Sequence, residues 1–242
     1  MSYSVMTDTG LARSINQDAV FATDEKMGEL PNFFVVADGM GGHKAGEYAS
    51  SYALDQMKLV VSHTGGSGPV QVLNQAITTA NAAVYGKATQ EKEKNGMGTT
   101  IVAASYDDEV LTVANVGDSR LYLCRDNELK QITVDHSIVE EMVKQGQLSR
   151  NLAKDHPKRN YITRAVGAEP QVRIDFFEEE LEENDLILLC SDGLTTMVDE
   201  DDIVKIITED KSLDKRTKEL IETANNNGGI DNITVILIDP YR

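Results

Sequence analysis

The sequence of 242 residues predicts an α+β fold in which two antiparallel sheets pack together and are flanked by helices. Runs with apolar residues at every second position cluster near the start and in the middle of the chain. Runs with apolar residues every three or four positions follow these clusters instead of alternating with single strands. The composition, 40% hydrophobic and 26% charged, provides a substantial core. Because no repeat or long linker divides the chain, we expect one domain over 1–242.

The first part of the chain is predicted to contain three strands and then two helices. Alternating apolar residues predict strands over 3–7, 19–23 and 33–37. Ala49, Ala53 and Met57 recur at helical spacing inside a predicted helix over 46–62. A glycine-rich break over 62–69 separates this helix from a second one over about 70–92.

The rest of the chain is predicted to return to strands and to end in helices and a last strand. Strands over 99–105, 110–116 and 121–125 are expected to be consecutive and antiparallel, joined by the turns D-D-E and G-D-S. A helix over about 137–145 precedes a basic stretch, which we interpret as a small flap around 146–165. Alternating Val172, Ile174 and Phe176 predict another strand, and an apolar strand follows over 185–191. Helices over 200–208 and 213–226 and a strand over 233–238 complete the chain.

The charge of the chain argues against several classes of partner. With 23 Lys and Arg against 40 Asp and Glu, the net charge is −17, which repels nucleic acid and anionic membrane surfaces. No apolar run approaches the roughly 20 residues that span a bilayer, and the start lacks the pattern of a signal peptide. Cys124 and Cys190 each lie in an apolar run, which favours buried free thiols over a disulfide. We therefore expect a soluble cytoplasmic protein, with a monomer as the default.

Several aspartates stand where a predicted strand begins or ends. They are Asp38, Asp118, Asp192 and Asp231, and a glycine follows Asp38 and Asp192. An Asp-Gly pair after a strand is by itself compatible with a simple hairpin turn. If the four carboxylates met in one cleft, their repulsion would need counter-charge, which Mg²⁺ or Mn²⁺ with oxygen ligands supplies. Zinc fits poorly, because the sequence has no Cys and His cluster at ligand spacing.

Eight motifs in order give the chain a family resemblance from residue 7 to residue 238. They are G-L-A-R-S-I-N-Q-D (10–18), V-V-A-D-G-M-G-G-H-K-A-G-E (35–47), G-T-T (98–100), A-N-V-G-D-S-R (114–120), D-H-S (135–137), I-T-R-A-V-G (162–167), C-S-D-G-L (190–194) and G-I-D-N-I-T-V (229–235). With these motifs the sequence resembles the bacterial PPM-type (type 2C) metal-dependent serine/threonine protein phosphatases. Each motif alone is weak, whereas their order and spacing are specific.

The resemblance implies a four-layer α/β/β/α sandwich with metals in a cleft at one end. In that family, the residue matching Asp38 bridges two metals and the one matching Gly39 gives its carbonyl oxygen to one of them. The residues matching Asp192 and Asp231 complete the coordination of the other metal. Asp118 and Asp192 match the positions that hold a third, more loosely bound metal. Asp18 matches an acid that hydrogen-bonds metal-bound water in the second shell. The implied cofactors are Mn²⁺ or Mg²⁺, two per chain, with a third ion as an open alternative.

The implied activity is hydrolysis of phosphoserine and phosphothreonine in proteins by a metal-activated water, in signalling that opposes a serine/threonine kinase. Arg13 matches the arginine that grips the phosphate, where a bidentate guanidinium suits two oxygens. His43 is a candidate general acid for the leaving oxygen, with a structural or substrate-facing role as the alternative.

Other functional interpretations stay open at the level of the sequence. A non-catalytic phosphoprotein-binding member and a phosphatase of small molecules are compatible with the same motifs. The basic residues of the flap, including Arg150, Lys154 and Arg159, either contact acidic phosphopeptides or form a solvated loop.

Overall fold

The structure, a computed structural model, describes residues 1–42, 44–66, 68–107, 109–153 and 156–241. Its strands are β1 (Ser2–Asp8), β2 (Asp18–Thr23), β3 (Phe33–Met40), β4 (Gly98–Thr99), β5 (Ile101–Tyr106), β6 (Val110–Val116), β7 (Arg120–Arg125), β8 (Glu128–Gln131), β9 (Asp175–Glu180), β10 (Leu186–Cys190) and β11 (Ile233–Asp239). Its helices are α1 (Ala45–His63), α2 (Pro69–Gln90), a 3-10 turn (Lys92–Lys94), α3 (Ile138–Lys144), α4 (Arg150–Ala153), α5 (Asp192–Thr195), α6 (Glu200–Thr208) and α7 (Leu213–Asn226).

The strands form two antiparallel sheets. One sheet has the order β1–β11–β10–β7–β8 and the other has the order β2–β3–β5–β6–β9, with β4 paired to the end of β3. The first strand of the chain pairs with the last over its whole length, from Ser2 opposite Asp239 to Asp8 opposite Ile233. This pairing brings residues from the two ends of the sequence to the same edge of the sandwich.

Three layers of buried apolar side chains hold the sheets and helices together. Between the sheets lie Phe34, Val36, Leu121, Ile187 and Ile236, among others. Helices α1 and α2 cover the outer face of the β2–β9 sheet, and α6 and α7 cover that of the β1–β8 sheet. Successive side chains of a strand point to opposite faces, so a continuously apolar strand such as β3 places Phe34 and Val36 between the sheets and Phe33 and Val35 against the helices. The predicted α+β class and the four-layer order are confirmed.

The predicted strand over 99–105 is interrupted at Thr100. Residues 98–99 pair with Gly39 and Met40, and β5 pairs with β3 farther along, at Phe34 to Val36. Between these pairings the Thr100 hydroxyl accepts a hydrogen bond from the backbone N–H of Asp38 at 2.9 Å. A side chain thus takes the place of a backbone partner, which the apolar pattern of the segment does not reveal.

The predicted pairing of strands 110–116 and 121–125 was wrong. Strand β6 pairs with β5 and β9, whereas β7 pairs with β10 and β8 in the other sheet. The chain crosses between the sheets at Gly117, whose φ is +109° and where a Cβ atom would lie 2.6 Å from the Cβ of Thr100. A short G-D-S connection suits a hairpin and a crossing equally, so only the partners of each strand decide between them.

Several local elements also differ from the prediction. The strand expected around Val172–Ile174–Phe176 begins only at Asp175, where the pairing with β6 starts opposite Asn115; Val172 and Ile174 pack against the core without belonging to the strand. The short elements β8, α4 and α5 were not predicted, since each has four residues and too few positions to show a period. Cys124 and Cys190 are buried and free, as predicted.

The flap region joins the body of the protein at its base. Helix α4 lies within it, and an isolated bridge pairs Ser137 with Ile162 while the N–H of Thr163 donates to the carbonyl of His136 at 2.7 Å. Across the described part of the chain, the helices are too short or too polar to serve as a bilayer-spanning segment.

Candidate metal centre

Asp18 and Asp38 lie opposite each other in neighbouring strands. They are paired residues of β2 and β3, at one end of the sheet that has the order β2–β3–β5–β6–β9. Oδ2 of Asp18 accepts hydrogen bonds from the hydroxyls of Ser191 and Thr234, both at 2.7 Å. These hydroxyls come from the other sheet, so Asp18 is held where the two sheets meet. Its other oxygen, Oδ1, is buried and has no hydrogen-bond partner among the described residues.

Hydrogen bonds with Thr99 and Thr100, where β4 leads into β5, hold the backbone of Asp38 in place. The Thr99 hydroxyl and the Thr100 N–H both donate to the Asp38 carbonyl, at 2.9 and 2.8 Å. The Thr100 hydroxyl, which accepts from the Asp38 N–H, also shares a 2.7 Å hydrogen bond with the hydroxyl of Ser119. The G-T-T motif therefore supports Asp38 through both of its peptide groups, a role that the sequence analysis did not assign.

Gly39 is required by a close approach of two backbones. A Cβ atom at Gly39 would lie 2.1 Å from the carbonyl oxygen of Gly46 and 2.6 Å from that of Gln17. Conversely, a Cβ atom at Gly46 would lie 2.7 Å from the Gly39 carbonyl oxygen. Only residues without a Cβ let the end of β3 pass the start of α1 this closely.

Asp192 and Asp231 are brought together by a second close approach of this kind. Asp192 is the first residue of α5, directly after β10, and a Cβ atom at Gly193 would lie 2.0 Å from the Asn232 carbonyl oxygen. Asp231 accepts a hydrogen bond from the Asn232 N–H at 2.9 Å and another from Nη2 of Arg13 at 2.8 Å. Residues 218 positions apart in the sequence thus form an ion pair at the mouth of the site.

Asp118 lies in the crossing between the sheets. The neighbouring Gly117 donates its N–H to Nδ1 of His136 and accepts from the His136 N–H, both at 2.9 Å. Two residues on, the partly buried Arg120 makes a bidentate contact with Asp135, with Nε to Oδ1 at 2.9 Å and Nη2 to Oδ2 at 2.7 Å. The D-H-S motif therefore fixes this crossing, which the sequence analysis treated only as part of the family pattern.

Burial and mutual repulsion raise the pKa of four carboxyl groups of this centre, those of Asp18, Asp38, Asp118 and Asp192. Burial, with hydrogen bonds from Thr234 and Ser191 acting against it, raises the pKa of Asp18 from 3.8 to about 7. Burial and the charge of Asp231 raise the pKa of Asp192 to about 6. Burial and the surrounding aspartates also raise the pKa of Asp38 and of Asp118 well above 3.8.

The donor set is suited to hard divalent cations that retain water. Asp192 Oδ1, like Asp18 Oδ1, is buried without a hydrogen-bond partner among the described residues. Within those same residues, no three Asp, Glu, His or Cys side chains are grouped as a ready-made site. Since the Asp231 carboxylate is turned towards Arg13, the carboxylates surround the cleft without closing on one point. Mg²⁺ and similar ions use one or two carboxylates with carbonyl oxygen and water, so the donors present fit them.

A cavity of about 770 Å³ adjoins this centre. Its lining includes Asp118 and Asp192 of the centre, Glu200 at the start of α6, and Arg150 and Arg159 of the flap region. Arg150 forms an ion pair with Glu140 at 3.0 Å. Arg150 and Arg159 of the flap region therefore line the same cavity as Asp118 and Asp192. His43 and Lys154 lie outside the described residues, so the structure does not test the interpretations made for them.

Comparison with known proteins gives a consistent result. A family model described as "Protein phosphatase 2C" matches residues 9–233. The serine/threonine phosphatase stp of Listeria welshimeri is 39% identical over 237 residues, which cover 96% of this chain and 93% of that protein. Among solved structures, the S. agalactiae serine/threonine phosphatase has a TM-score of 0.90 with 37% identity, covering 98% of both chains. The catalytic domain of the serine/threonine protein phosphatase PstP in complex with two manganese ions has a TM-score of 0.86 with 33% identity, covering 98% of this chain and 97% of that chain.

Proposed function

The chain belongs to the protein phosphatase 2C family, and from that premise we propose that it hydrolyses phosphoserine and phosphothreonine in proteins with two Mn²⁺ or Mg²⁺ ions per chain and a position for a third. The main support is the group of aspartates at one end of the sandwich, of which Asp118 is buried and the others are partly buried. Two of their carboxylate oxygens, Oδ1 of Asp18 and of Asp192, are buried without a hydrogen-bond partner among the described residues. Burying such groups is costly unless something binds them.

The ion-binding residues in this proposal are those with oxygen donors at the meeting point of the sheets. Asp38 and the Gly39 carbonyl would hold one ion, and Asp38, Asp192 and Asp231 would hold the other. Asp118 together with Asp192 would hold the third. When bound, such ions lower the pKa of a shared water to supply the nucleophile, and they neutralise charge on the phosphate. Asp18 Oδ1 is available to accept a hydrogen bond from water in this centre.

Arg13 orients the phosphate in the proposed reaction. Its side chain is half exposed and already directed to the centre by its contact with Asp231. A guanidinium can donate two parallel hydrogen bonds to two phosphate oxygens. Holding them fixes the direction from which phosphorus can be attacked, because an in-line displacement needs the leaving seryl or threonyl oxygen opposite the nucleophile. His43 remains a candidate for protonating that leaving oxygen.

The biological setting follows from this activity. The substrates are phosphoproteins, and the natural counterpart is a serine/threonine kinase and its targets. We expect a monomer in the cytoplasm, consistent with the two buried free cysteines. The basic residues of the flap remain candidates for contacts with the phosphoprotein beside the reacting phosphate.

The test is hydrolysis of a phosphothreonine peptide and of p-nitrophenyl phosphate with Mn²⁺, with Mg²⁺ and after chelation by EDTA. We expect turnover with either metal, its loss on chelation and its recovery on re-addition. Asp38→Asn should be folded and inactive, whereas Asp210→Asn, which changes an exposed carboxylate away from the centre, should behave as the wild type. Turnover that survives chelation would contradict the proposal, and turnover of p-nitrophenyl phosphate alone would indicate a small-molecule phosphatase.

A further inference from the structure

A small exposed apolar surface borders the ion pair of Arg13 and Asp231. It consists of the exposed side chains of Leu11 and Ile230 together with the partly buried Met197, and we call it the apolar rim. Leu11 is 70% exposed and Ile230 is 42% exposed. Single exposed apolar residues need no explanation, but these three come from separate segments and converge on the same stretch of backbone, Gly228–Gly229.

The convergence is visible in the space around the two glycines. Leu11 Cγ lies 2.9 Å from the point that a Cβ atom at Gly229 would occupy. Met197 Sδ and Ile230 Cγ2 lie 3.5 and 3.7 Å from the corresponding point at Gly228. The three side chains therefore flank the same two glycines, whose backbone has minimal bulk between them.

Hydrogen bonds hold the backbone beneath the apolar rim in place, although the side chains of Leu11 and Ile230 are exposed. The N–H groups of Leu11 and Ala12 both donate to the Gly229 carbonyl, at 2.7 and 3.1 Å. The Asn227 side chain donates to the Met197 carbonyl at 2.7 Å. Because this backbone is already fixed, binding here costs only the ordering of side chains and not of the chain itself, which favours a role in recognition.

The position of the rim defines what it can contact. Leu11 is two residues before Arg13, and Ile230 directly precedes Asp231, the hydrogen-bond partner of Arg13. Consecutive Cα atoms are 3.8 Å apart, so a residue adjacent to one whose phosphate is held at Arg13 comes within reach of the rim. We infer that the apolar rim binds an apolar side chain, such as Leu, Ile, Val or Met, directly next to the phosphorylated residue of the protein substrate.

This inference rests on the proposed function, because it takes Arg13 as the phosphate-holding residue. It also addresses how a chain with a net charge of −17 retains a phosphorylated, negatively charged segment. An apolar contact adds affinity without requiring an extended basic surface, since its strength depends on buried area and not on charge. Substrates are then selected by apolar residues beside the phosphate.

The experiment compares phosphothreonine peptides that differ only in having Leu or Ala at each position next to the phosphothreonine. The measured quantity is the ratio of kcat/KM for the Leu peptide to that for the Ala peptide, with Mn²⁺. For the wild type we expect a ratio of about five at one of the two flanking positions, as for partial burial of the additional carbon atoms. The preference should reside in KM, because the contact is the same before and during the reaction.

Leu11→Ala and Ile230→Ala should each lower this ratio towards one. Leu59→Ala is the matched control, because Leu59 is 56% exposed on α1 and does not belong to the rim. An unchanged ratio in both rim variants, or a wild-type ratio of one at both flanking positions, would overturn the inference while leaving the phosphatase activity in place. Hydrolysis of neither peptide by the wild type with Mn²⁺ would instead overturn the proposed function on which the inference rests.

Discussion

Replacing Asp192 by Asn is expected to stabilise the metal-free protein at pH 8 while abolishing its metal-dependent activity. Burial and the charge of Asp231 raise the pKa of Asp192 to about 6, so at pH 8 the folded protein has to keep an unfavourable charge. Asn has nearly the same size and no charge. Its amide can donate to the Asp38 side chain, with which Asp192 is within hydrogen-bonding reach.

The size of the effect follows from the pKa of Asp192 in the two states. In the unfolded chain the pKa is 3.8, and in the folded protein it is about 6. Because the folded state holds the proton more tightly, the free energy of unfolding falls as the pH rises from 3.8 to about 6 and stays low above that. The full difference corresponds to about 3 kcal/mol. Below pH 3.8 both states are protonated and the penalty disappears.

Urea unfolding in EDTA at pH 8 and at pH 5 measures this effect. The variant should be more stable than the wild type by up to about 3 kcal/mol at pH 8 and by about half as much at pH 5. Asp210→Asn is the control and should change stability by less than about 0.5 kcal/mol, because Asp210 is exposed. If Asp192→Asn were no more stable than the wild type at pH 8, or if its advantage were independent of pH, the electrostatic account of the site would be wrong.

Adding Mn²⁺ should reverse the order of stabilities. A ligand at 100 times its Kd adds about 2.7 kcal/mol to the free energy of unfolding. The wild type should gain this from each ion, whereas Asp192→Asn has lost a donor and should gain less. A residue that destabilises the empty protein and stabilises the occupied one is retained for binding and not for folding.

Three further predictions concern the surroundings of the centre. Arg13→Lys keeps the charge but loses the paired donors, so kcat/KM for a phosphothreonine peptide should fall about tenfold or more; a value equal to that of the wild type would exclude Arg13 as the phosphate ligand. Gly39→Ala puts a Cβ atom 2.1 Å from the Gly46 carbonyl oxygen, so urea unfolding should show a loss of about 3 kcal/mol and calorimetry should show weaker Mn²⁺ binding. Unchanged Mn²⁺ affinity would mean that the close approach does not shape the site. Ser191→Ala removes a hydrogen bond that lowers the pKa of Asp18, so that pKa should rise further above about 7 in the metal-free protein. Carbon-13 NMR titration of the Asp18 carboxyl group in EDTA tests this, and an unchanged or lower pKa would refute it.

The candidate site could be predicted from the sequence only as a set of residues. The motifs identified Asp38, Asp118, Asp192 and Asp231 because each stands at a strand boundary, and the family resemblance supplied their expected roles. The supporting hydroxyls of Ser191 and Thr234 were not singled out, although both lie inside quoted motifs. A hydroxyl next to an apolar strand carries no sign of its partner, which here is on a strand more than 170 residues away.

The sequence by itself determined the elements whose period is long enough to be recognised, such as α6, α7 and the strands β1 to β3, and therefore the α+β class. Tertiary structure alone decided that β6 and β7 belong to different sheets, that Cys124 and Cys190 lie on adjacent strands, and that Arg13 meets Asp231. The physical reason is one of range. A periodic pattern reflects which face of one segment is buried, whereas strand partners and site contacts depend on free energies summed over segments that are distant in the chain.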